Sequence, residues 1–277
     1  MREIISEKFN SFAASKIVSW RWLRSDFAEF FHKEEQNKGF SEKGPHRLIW
    51  STGSKFVLLV KRGDDSPRVV FKSFRRIRRK IRWFLRFSPN TAEAVNYAIL
   101  AEHGFPVAEL LAVGDERKFG ILQKTFLVTE FCEGFSDGRE FLPGGKYENA
   151  PDLLDKFASE NFRLLAKLHD LNLLHKGFTP ANLLFKALPD DELEVKWIDV
   201  AGCKKLPDRQ MKKLVPYDFV SFFRYFDFSA DERRKYCQIY LDNSVNSPFD
   251  LETLSGEVEK MFVRRGRKNA PPIVKID

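Results

Sequence analysis

The sequence predicts an α+β fold of two lobes, a small antiparallel β lobe followed by a larger, mainly helical lobe. Short apolar runs bounded by turn residues dominate from residue 46 to about 131, whereas helical spacing dominates from residue 151 onwards. Strands first and helices afterwards is the order expected of an α+β protein. With 277 residues, 43% of them hydrophobic, the chain is long enough to bury a sizeable core. Most of the 28 phenylalanines are expected in that core.

The first lobe is predicted from five β-type runs and one helix. The short turn STG and the turn signal GDDSP separate the first three runs, which indicates two tight hairpins. A helix is signalled at Ser88-Pro89-Asn90-Thr91, and Gly104 and Pro106 stop it. The predicted runs are 46–51, 55–61, 68–74, 107–114 and 124–131.

The second lobe begins with a Gly-rich loop, 134–147, and a helix with apolar residues at helical spacing from 153 to 168. Strands at 183–185 and 195–200 bracket an acidic turn, and 214–263 is predicted to be mostly helical. The resulting domain prediction is a helical extension at 1–45, an N-lobe at 46–132, a C-lobe at 133–263 and a polar tail at 264–277.

The net charge of +8 is concentrated in one segment, because eight basic residues and no acidic one lie between Lys72 and Arg86. Such a cluster indicates a polyanionic partner, which can be nucleic acid, an acidic membrane surface or a phosphorylated glycan. The segment can equally be a solvated helix face or a basic amphipathic helix at a membrane interface. A nucleic-acid-binding protein is one reading of the chain, although the sequence contains no recognisable nucleic-acid module.

The three cysteines, Cys132, Cys203 and Cys237, are far apart and form no CxxC pair. This pattern predicts reduced thiols in a cytoplasmic compartment rather than a disulfide framework or a zinc site. No signal peptide and no apolar stretch of about 18 residues is visible, which predicts a soluble or membrane-peripheral protein.

Five polar residues follow one another in an order that suits phosphoryl transfer. Lys72 lies in the third strand and Glu93 early in the next helix, while His175 and Asn182 flank a loop and Asp199 follows 17 residues after Asn182. Transfer from ATP needs a lysine for the phosphates, an acid to orient it and oxygen ligands for the metal.

This order resembles the protein-kinase superfamily, whose loop reads H-x-D-x-x-x-x-N and is followed by a metal-binding aspartate. Within the superfamily the chain is most similar to the bacterial lipopolysaccharide core kinases, the Kdo/heptose-kinase family. The resemblance spans roughly residues 46–245, and its motifs are E-x6-L-x3-G-F-P from Glu93, LLHKGFTPANLLF and WIDVAGCKKLP.

The resemblance implies a bilobal protein-kinase-like fold that holds ATP and Mg²⁺. By position, Lys72 would bind the α- and β-phosphates and Glu93 would pair with it, while Asn182 and Asp199 would coordinate Mg²⁺. Gly53 would belong to the loop that covers the phosphates, and Glu130 and Cys132 would supply backbone groups to adenine. His175 would be a structural loop residue, and Asp218 would anchor the loop from below.

One residue departs from the family pattern. Gly177 stands where the family has the aspartate that accepts the substrate proton, and glycine cannot do so. The chain is then a pseudokinase that binds nucleotide, an enzyme that transfers phosphate slowly through positioning and electrostatics, or an enzyme with a substitute carboxylate. Asp170 is the nearest substitute in sequence but lies two helical turns upstream.

The function that the resemblance implies is transfer of the ATP γ-phosphate to a sugar hydroxyl of the lipopolysaccharide core. The expected partners are the core or another phosphorylated glycolipid, and an anionic membrane surface contacted through residues 72–87. The expected location is the cytoplasm, at the inner face of the inner membrane. The alternatives are a scaffolding pseudokinase and a basic nucleic-acid-binding protein without an ATP site.

Overall fold

A computed structural model describes residues 19–24, 28, 30–31, 46–52, 55–61, 68–74, 87–118, 121–189 and 192–267. The chain divides between Glu133 and Gly134 into two compact units. The described strands are β1 (Ser19–Leu23), β2 (Arg47–Ser51), β3 (Lys55–Val60), β4 (Val69–Phe74), β5 (Leu110–Lys118), β6 (Ile121–Glu130), β7 (Ser136–Asp137), β8 (Leu173–Leu174), β9 (Leu183–Ala187), β10 (Leu193–Trp197) and β11 (Lys204–Lys205). The helices are α1 (Pro89–Glu102), α2 (Pro151–Asp170), α3 (Asp208–Phe223), α4 (Ala230–Asn243) and α5 (Leu251–Arg265).

The first unit is an antiparallel sheet with α1 packed on it. Among the described residues the strand order is β1-β5-β6-β4-β3-β2. Side chains of β4 alternate between buried and half-buried, because successive residues of a strand point to opposite faces. The buried face forms a core, and its members include Phe56, Leu58, Val60, Phe71 and Val128.

The first strand corrects the prediction of helices throughout residues 1–45. Residues 19–23 form a strand whose backbone pairs with β5, in a register that puts Trp20 opposite Gly114. The aromatic spacing that suggested a helix includes Trp20 and Trp22, which are two residues apart, and this spacing also suits a strand. The strand forms rather than a helix because residues 19–23 pair with β5, which lies far away in sequence.

The hairpin of β5 and β6 extends further than the sequence indicated. Between the predicted runs 107–114 and 124–131 lies a charged stretch that was expected to form the turn. Most of it belongs to the strands, and residues 119 and 120 separate them. Asp115 is 1% exposed and pairs with Arg117 at 3.1 Å. Alternation places these two residues on one face of β5, so the ion pair accommodates charge inside a sheet.

The second unit is held together by aromatic side chains, as the phenylalanine content predicted. Phe162 on α2 stacks on Phe219 of α3 with ring centroids 4.9 Å apart and also contacts Phe222, Phe223 and Tyr236. Rings at such distances gain both apolar burial and favourable edge and offset geometry. These contacts fix α2, α3 and α4 to one another beneath the loop described below.

Other differences from the predicted elements are small. Residues 136–141 of the predicted Gly-rich loop form β7 and a short 3-10 helix. The second strand of the 183–200 hairpin ends at Trp197 rather than at 200, and α5 continues to Arg265, within the predicted tail. None of the helices in the described part of the chain is long and apolar enough to cross a membrane.

Candidate functional site

In the first unit the structure brings Lys72 and Glu93 together. The Lys72 Nζ donates to Glu93 Oε1 at 3.0 Å and to Oε2 at 2.9 Å. The side chains are 15% and 2% exposed, respectively. Burying a carboxylate this deeply is costly unless it is paired, and the Lys72 ammonium supplies such a partner.

The start of α1 is fixed to the sheet by buried polar side chains. Ser88 caps the helix by accepting from the Thr91 N–H at 3.1 Å, and its hydroxyl lies 2.7 Å from that of Thr125 on β6. The Asn90 amide donates to the backbone carbonyl of Lys72 at 3.3 Å. The helix that carries Glu93 is therefore anchored directly to the strand that carries Lys72. The sequence indicated the cap but not its partners across the sheet.

Of the other residues predicted to bind nucleotide, the structure describes Glu130 and Cys132. Glu130 ends β6, where its backbone N–H donates to Glu109 at 2.9 Å and its carboxylate accepts from the Glu109 N–H at 3.0 Å. Cys132 follows two residues later and is buried. Gly53 lies outside the described residues, as do residues 75–86 of the basic segment and residues 268–277 of the tail.

In the second unit, Asp218 of α3 anchors the loop that begins at His175, as predicted. Its carboxylate is fully buried and accepts from the backbone N–H groups of His175 and Lys176, both at 2.8 Å. The carboxylate also lies 3.3 Å from Nε2 of His169. The Nδ1 of the same imidazole ring contacts the Tyr240 hydroxyl at 3.1 Å. The two accepted backbone bonds hold Lys176 in the left-handed region, at φ 59°.

His175 is a structural residue of the loop. Its ring packs edge-on against Phe178 and Trp197, and its Nδ1 accepts from the Gly177 N–H at 3.2 Å. The proton of the neutral ring therefore lies on Nε2, which is buried without a hydrogen-bond partner among the described residues. Burial lowers the pKa of His175 in spite of the nearby carboxylates of Asp218 and Asp199. The imidazole is neutral and unsuited to stabilising negative charge.

A side chain at Gly177 would fit tightly, because the Asn182 amide would have to shift by a few tenths of an ångström. A Cβ added there would lie 3.3 Å from Asn182 Nδ2 and 3.5 Å from His175 Nδ1, and the backbone is outside the left-handed region. The Asn182 amide donates to the Gly177 carbonyl at 2.9 Å, so the loop closes on itself as a compact turn. The backbone at residue 177 is therefore one that an L residue can adopt.

The β9–β10 hairpin places Asn182 beside Ile198, the residue before Asp199. Leu183 pairs with Trp197, and the Ile198 N–H donates to the Asn182 carbonyl at 2.9 Å. Asp199 is exposed and takes a left-handed conformation at φ 51°, two residues beyond the strand in which it was predicted. Aspartate tolerates this conformation better than most residues, but it is uncommon outside turns and functional sites.

These two side chains fit Mg²⁺. Asn182 uses its NH₂ for the Gly177 carbonyl, and its Oδ1 accepts no hydrogen bond from the part of the chain that the structure describes. Amide and carboxylate oxygens are the hard ligands that Mg²⁺ prefers, and Mg²⁺ commonly takes its other ligands from phosphates and water. In the described segments no group of three or more His, Cys, Asp or Glu is arranged to hold a metal.

Asp170 is not a substitute for the missing aspartate. Its carboxylate accepts from the Ser244 hydroxyl at 2.6 Å and from the Val245 and Asn246 N–H groups at 2.8 and 3.0 Å. It therefore caps the backbone after α4, and it shares no hydrogen bond with the loop from His175 to Asn182.

Two residues that position the segment around Asp199 were not predicted from the sequence. Asn161 of α2 accepts from the Trp197 indole N–H at 2.7 Å, which fixes the strand that precedes Asp199. A Cβ on Gly202 would lie 2.7 Å from the His175 carbonyl oxygen, so only glycine allows the segment after Asp199 to approach the loop. Neither residue has a local signal, because each acts through a contact distant in sequence.

Comparison with known proteins gives the same fold and a family. Residues 69–234 match the lipopolysaccharide kinase (Kdo/WaaP) family. A solved structure titled "WaaP in complex with acyl carrier protein" is similar over 87% of this chain and 96% of that chain, with a TM-score of 0.62 and 15% sequence identity. At this identity the structural likeness shows the fold alone. No protein in the curated set compared with the chain matches it significantly.

Proposed function

The chain belongs to the lipopolysaccharide kinase (Kdo/WaaP) family, and on that premise we propose that it transfers the γ-phosphate of ATP to a sugar hydroxyl of the lipopolysaccharide core. The observation that carries this proposal is the buried pair of Lys72 and Glu93. A lysine that was only a surface residue of β4 would not require a 2%-exposed carboxylate as its partner. In phosphotransferases of this fold such a pair orients the ammonium group toward the phosphates of ATP.

We assign nucleotide binding by unit. In the first unit Lys72 binds the α- and β-phosphates, Glu93 fixes its position, and the backbone at Glu130 and Cys132 binds adenine. Gly53 belongs to the segment assigned to cover the phosphates. In the second unit Asn182 and Asp199 hold Mg²⁺, which neutralises the charge that develops on the phosphates when it is bound. The anchored loop keeps Asn182 in place, and the left-handed backbone presents the Asp199 carboxylate to solvent.

The acceptor hydroxyl must lose its proton without an aspartate at residue 177. Phosphoryl transfer passes through a loose transition state, for which positioning and electrostatic stabilisation supply most of the catalysis. A general base contributes roughly 10²- to 10⁴-fold, so its absence slows such a reaction without abolishing it. We therefore propose slow transfer, in which binding and orientation of both substrates supply the rate.

A pseudokinase is the second candidate, and Gly177 is the observation that favours it. In that case the chain binds nucleotide at the same residues and acts as a scaffold or regulator. The two candidates share every nucleotide-binding assignment and differ only in turnover.

We place the protein in the cytoplasm, at the inner face of the inner membrane, where a glycolipid acceptor presents its core sugars. The basic segment, residues 72–87, is assigned to the anionic membrane surface or to the phosphates of the acceptor through its cations other than Lys72, which pairs with Glu93. Its composition supports this assignment, since basic amphipathic segments bind anionic lipid.

The test is transfer of label from γ-labelled ATP to purified lipopolysaccharide core in the presence of Mg²⁺. We expect incorporation above background for the wild type and none for Asp199→Ala, with Asp152→Ala, an exposed aspartate of α2, as the matched control. Nucleotide binding without incorporation would establish the pseudokinase. Failure of the wild type to bind nucleotide would overturn both candidates.

A further inference from the structure

A groove between α3 and α5 in the second unit is lined by more positive than negative charge. It encloses about 530 Å³ and contains none of the residues assigned to nucleotide or metal. Four cations line it, Lys212 and Lys213 from α3 and Lys260 and Arg264 from α5, against one carboxylate, Glu257. A groove of this size is within the range of about 300–1,000 Å³ that small-ligand sites occupy.

Most of these cations are not used inside the protein. Lys260 pairs with Glu257 at 2.9 Å, but both side chains are largely exposed. Lys212, Lys213 and Arg264 make no ion pair within the segments that the structure describes, and all three are exposed. Cations that stabilise the fold would be paired or would lie where the local field favours them.

The helix dipole does not explain the two lysines of α3. A positive charge is favourable in the last turn of a helix, and this accounts for Arg264 near the end of α5. Lys212 and Lys213 lie in the second turn of α3, beyond the terminal turn in which the dipole acts, so the dipole gives no reason for positive charge there. Neither lysine makes an ion pair with a carboxylate of the described residues, so an anion from outside the chain would offset the mutual repulsion of the cations that line the groove.

The surface between the cations is apolar. Pro216, Phe249 and Met261 line the same groove. Val263, in the last turn of α5 beside Arg264, is 79% exposed. A free phosphate would make no favourable contact with this apolar surface. A phospholipid presents a phosphate together with glycerol and the first acyl carbons, which can contact it. Long cationic side chains suit this setting, because their stems cover apolar surface while their charges reach the phosphates.

We propose that this groove docks the second unit on an anionic phospholipid surface. A lipid phosphate lies among Lys212, Lys213 and Arg264, its glycerol backbone lies on Met261, and Val263 enters the headgroup region. This surface is separate from the basic segment at residues 72–87. The inference does not rest on the proposed function, because it requires neither ATP nor an acceptor sugar.

The experiment is co-sedimentation of the full chain with vesicles of phosphatidylcholine alone or mixed with phosphatidylglycerol, at low and high salt. We expect binding only to the mixed vesicles and a loss of binding at high salt. Lys213→Glu and Arg264→Glu should each weaken binding on the order of fivefold or more, since a single cation near an anionic surface contributes about that factor. Lys167→Glu, the same charge change at an exposed lysine of α2 outside the groove, should leave vesicle binding within about twofold of the wild type.

Three outcomes would overturn the proposal. Equal binding by Lys213→Glu, Arg264→Glu and Lys167→Glu would show that the groove does not contact lipid. Displacement from vesicles by inorganic phosphate at the same ionic strength as a chloride control would indicate a free-phosphate site. Binding to polyglutamate that both groove variants lose, without any change in vesicle binding, would indicate an acidic protein partner. Thermal melting of each variant without vesicles shows that the fold is retained.

Discussion

The Lys72 ammonium lies 3.0 and 2.9 Å from the two carboxylate oxygens of Glu93, and only 2% of the carboxylate side chain is exposed. One residue belongs to β4 and the other to α1, and Asn90 at the start of α1 donates to the Lys72 carbonyl. The anchoring of α1 to β4 therefore holds the two side chains in contact. The geometry of the pair presents the lysine as a fixed charge rather than as a mobile surface side chain.

Removal of one member of this pair should destabilise the first unit. In Lys72→Met the Glu93 carboxylate stays buried without its ammonium partner, and such losses cost about 3–5 kcal/mol. The double variant Lys72→Met/Glu93→Leu should recover most of that loss because it removes both buried charges. Urea unfolding measures the free energies, and a double variant no more stable than Lys72→Met would contradict the interpretation.

Asp218→Asn should loosen the loop from His175 to Asn182. Asparagine supplies one oxygen where the carboxylate supplies two, and the backbone N–H groups of His175 and Lys176 each need one. A buried donor left without an acceptor costs about 1–3 kcal/mol. We expect a loss of stability in that range and faster amide exchange at Lys176. Unchanged exchange at that amide would show that Asp218 does not hold the loop.

Acid should destabilise the protein partly through His175. Burial lowers the pKa of His175 below its ordinary value of 6.5, so the folded chain keeps the ring neutral while the unfolded chain binds a proton. Stability is then complete above about pH 6.5 and falls as the pH drops toward the lower folded pKa, by up to about 1.4 kcal/mol per pH unit.

The variant His175→Phe isolates this contribution, because it keeps the ring packing against Phe178 and Trp197 and removes the titration. Its stability should fall less steeply between pH 6.5 and 5 than that of the wild type, in urea unfolding at matched ionic strength. Parallel curves for the two proteins would rule out His175 as the titrating group.

Gly177→Asp should raise phosphate transfer. The three atoms nearest to the added Cβ belong to side chains, and the closest, Asn182 Nδ2 at 3.3 Å, must shift by a few tenths of an ångström. The backbone is compatible with an L side chain. A restored general base is worth roughly 10²- to 10⁴-fold in turnover. Gly177→Asn has the same shape without basicity and is the control. Equal turnover in both variants, with nucleotide binding intact, would show that the loop no longer directs a base to the acceptor.

The sequence predicted most of the elements and the order of the site residues, because their signals are local. The cap at Ser88 and the stop at Gly104 delimit α1 within one residue, and Gly104 takes the left-handed conformation at φ 74°. The separation of His175 and Asn182, together with the strand after Asn182, indicated the loop and its hairpin. Asp218 was also recognised from the segment around it.

What the sequence could not indicate depends on contacts between distant residues. The spacing of Trp20 and Trp22 is consistent with a helix and with a strand, and the pairing of β1 with β5 settled it. The bonds from Ser88 to Thr125 and from Trp197 to Asn161 join residues 37 and 36 positions apart. The groove at Lys212 and Arg264 combines two helices, so no single stretch of sequence reveals its excess of positive charge.

The most direct test of the account is thermal melting with and without Mg²⁺-ATP, for the wild type and for Asp199→Ala, with Asp152→Ala as the control. Nucleotide at about a hundredfold above its Kd stabilises the folded state by about 2.7 kcal/mol, which raises the Tm by several degrees. We predict that rise in the wild type and in Asp152→Ala, and its loss in Asp199→Ala. No rise in the wild type, or the same rise in Asp199→Ala, would contradict the assignment of Asp199 to a nucleotide-dependent metal site.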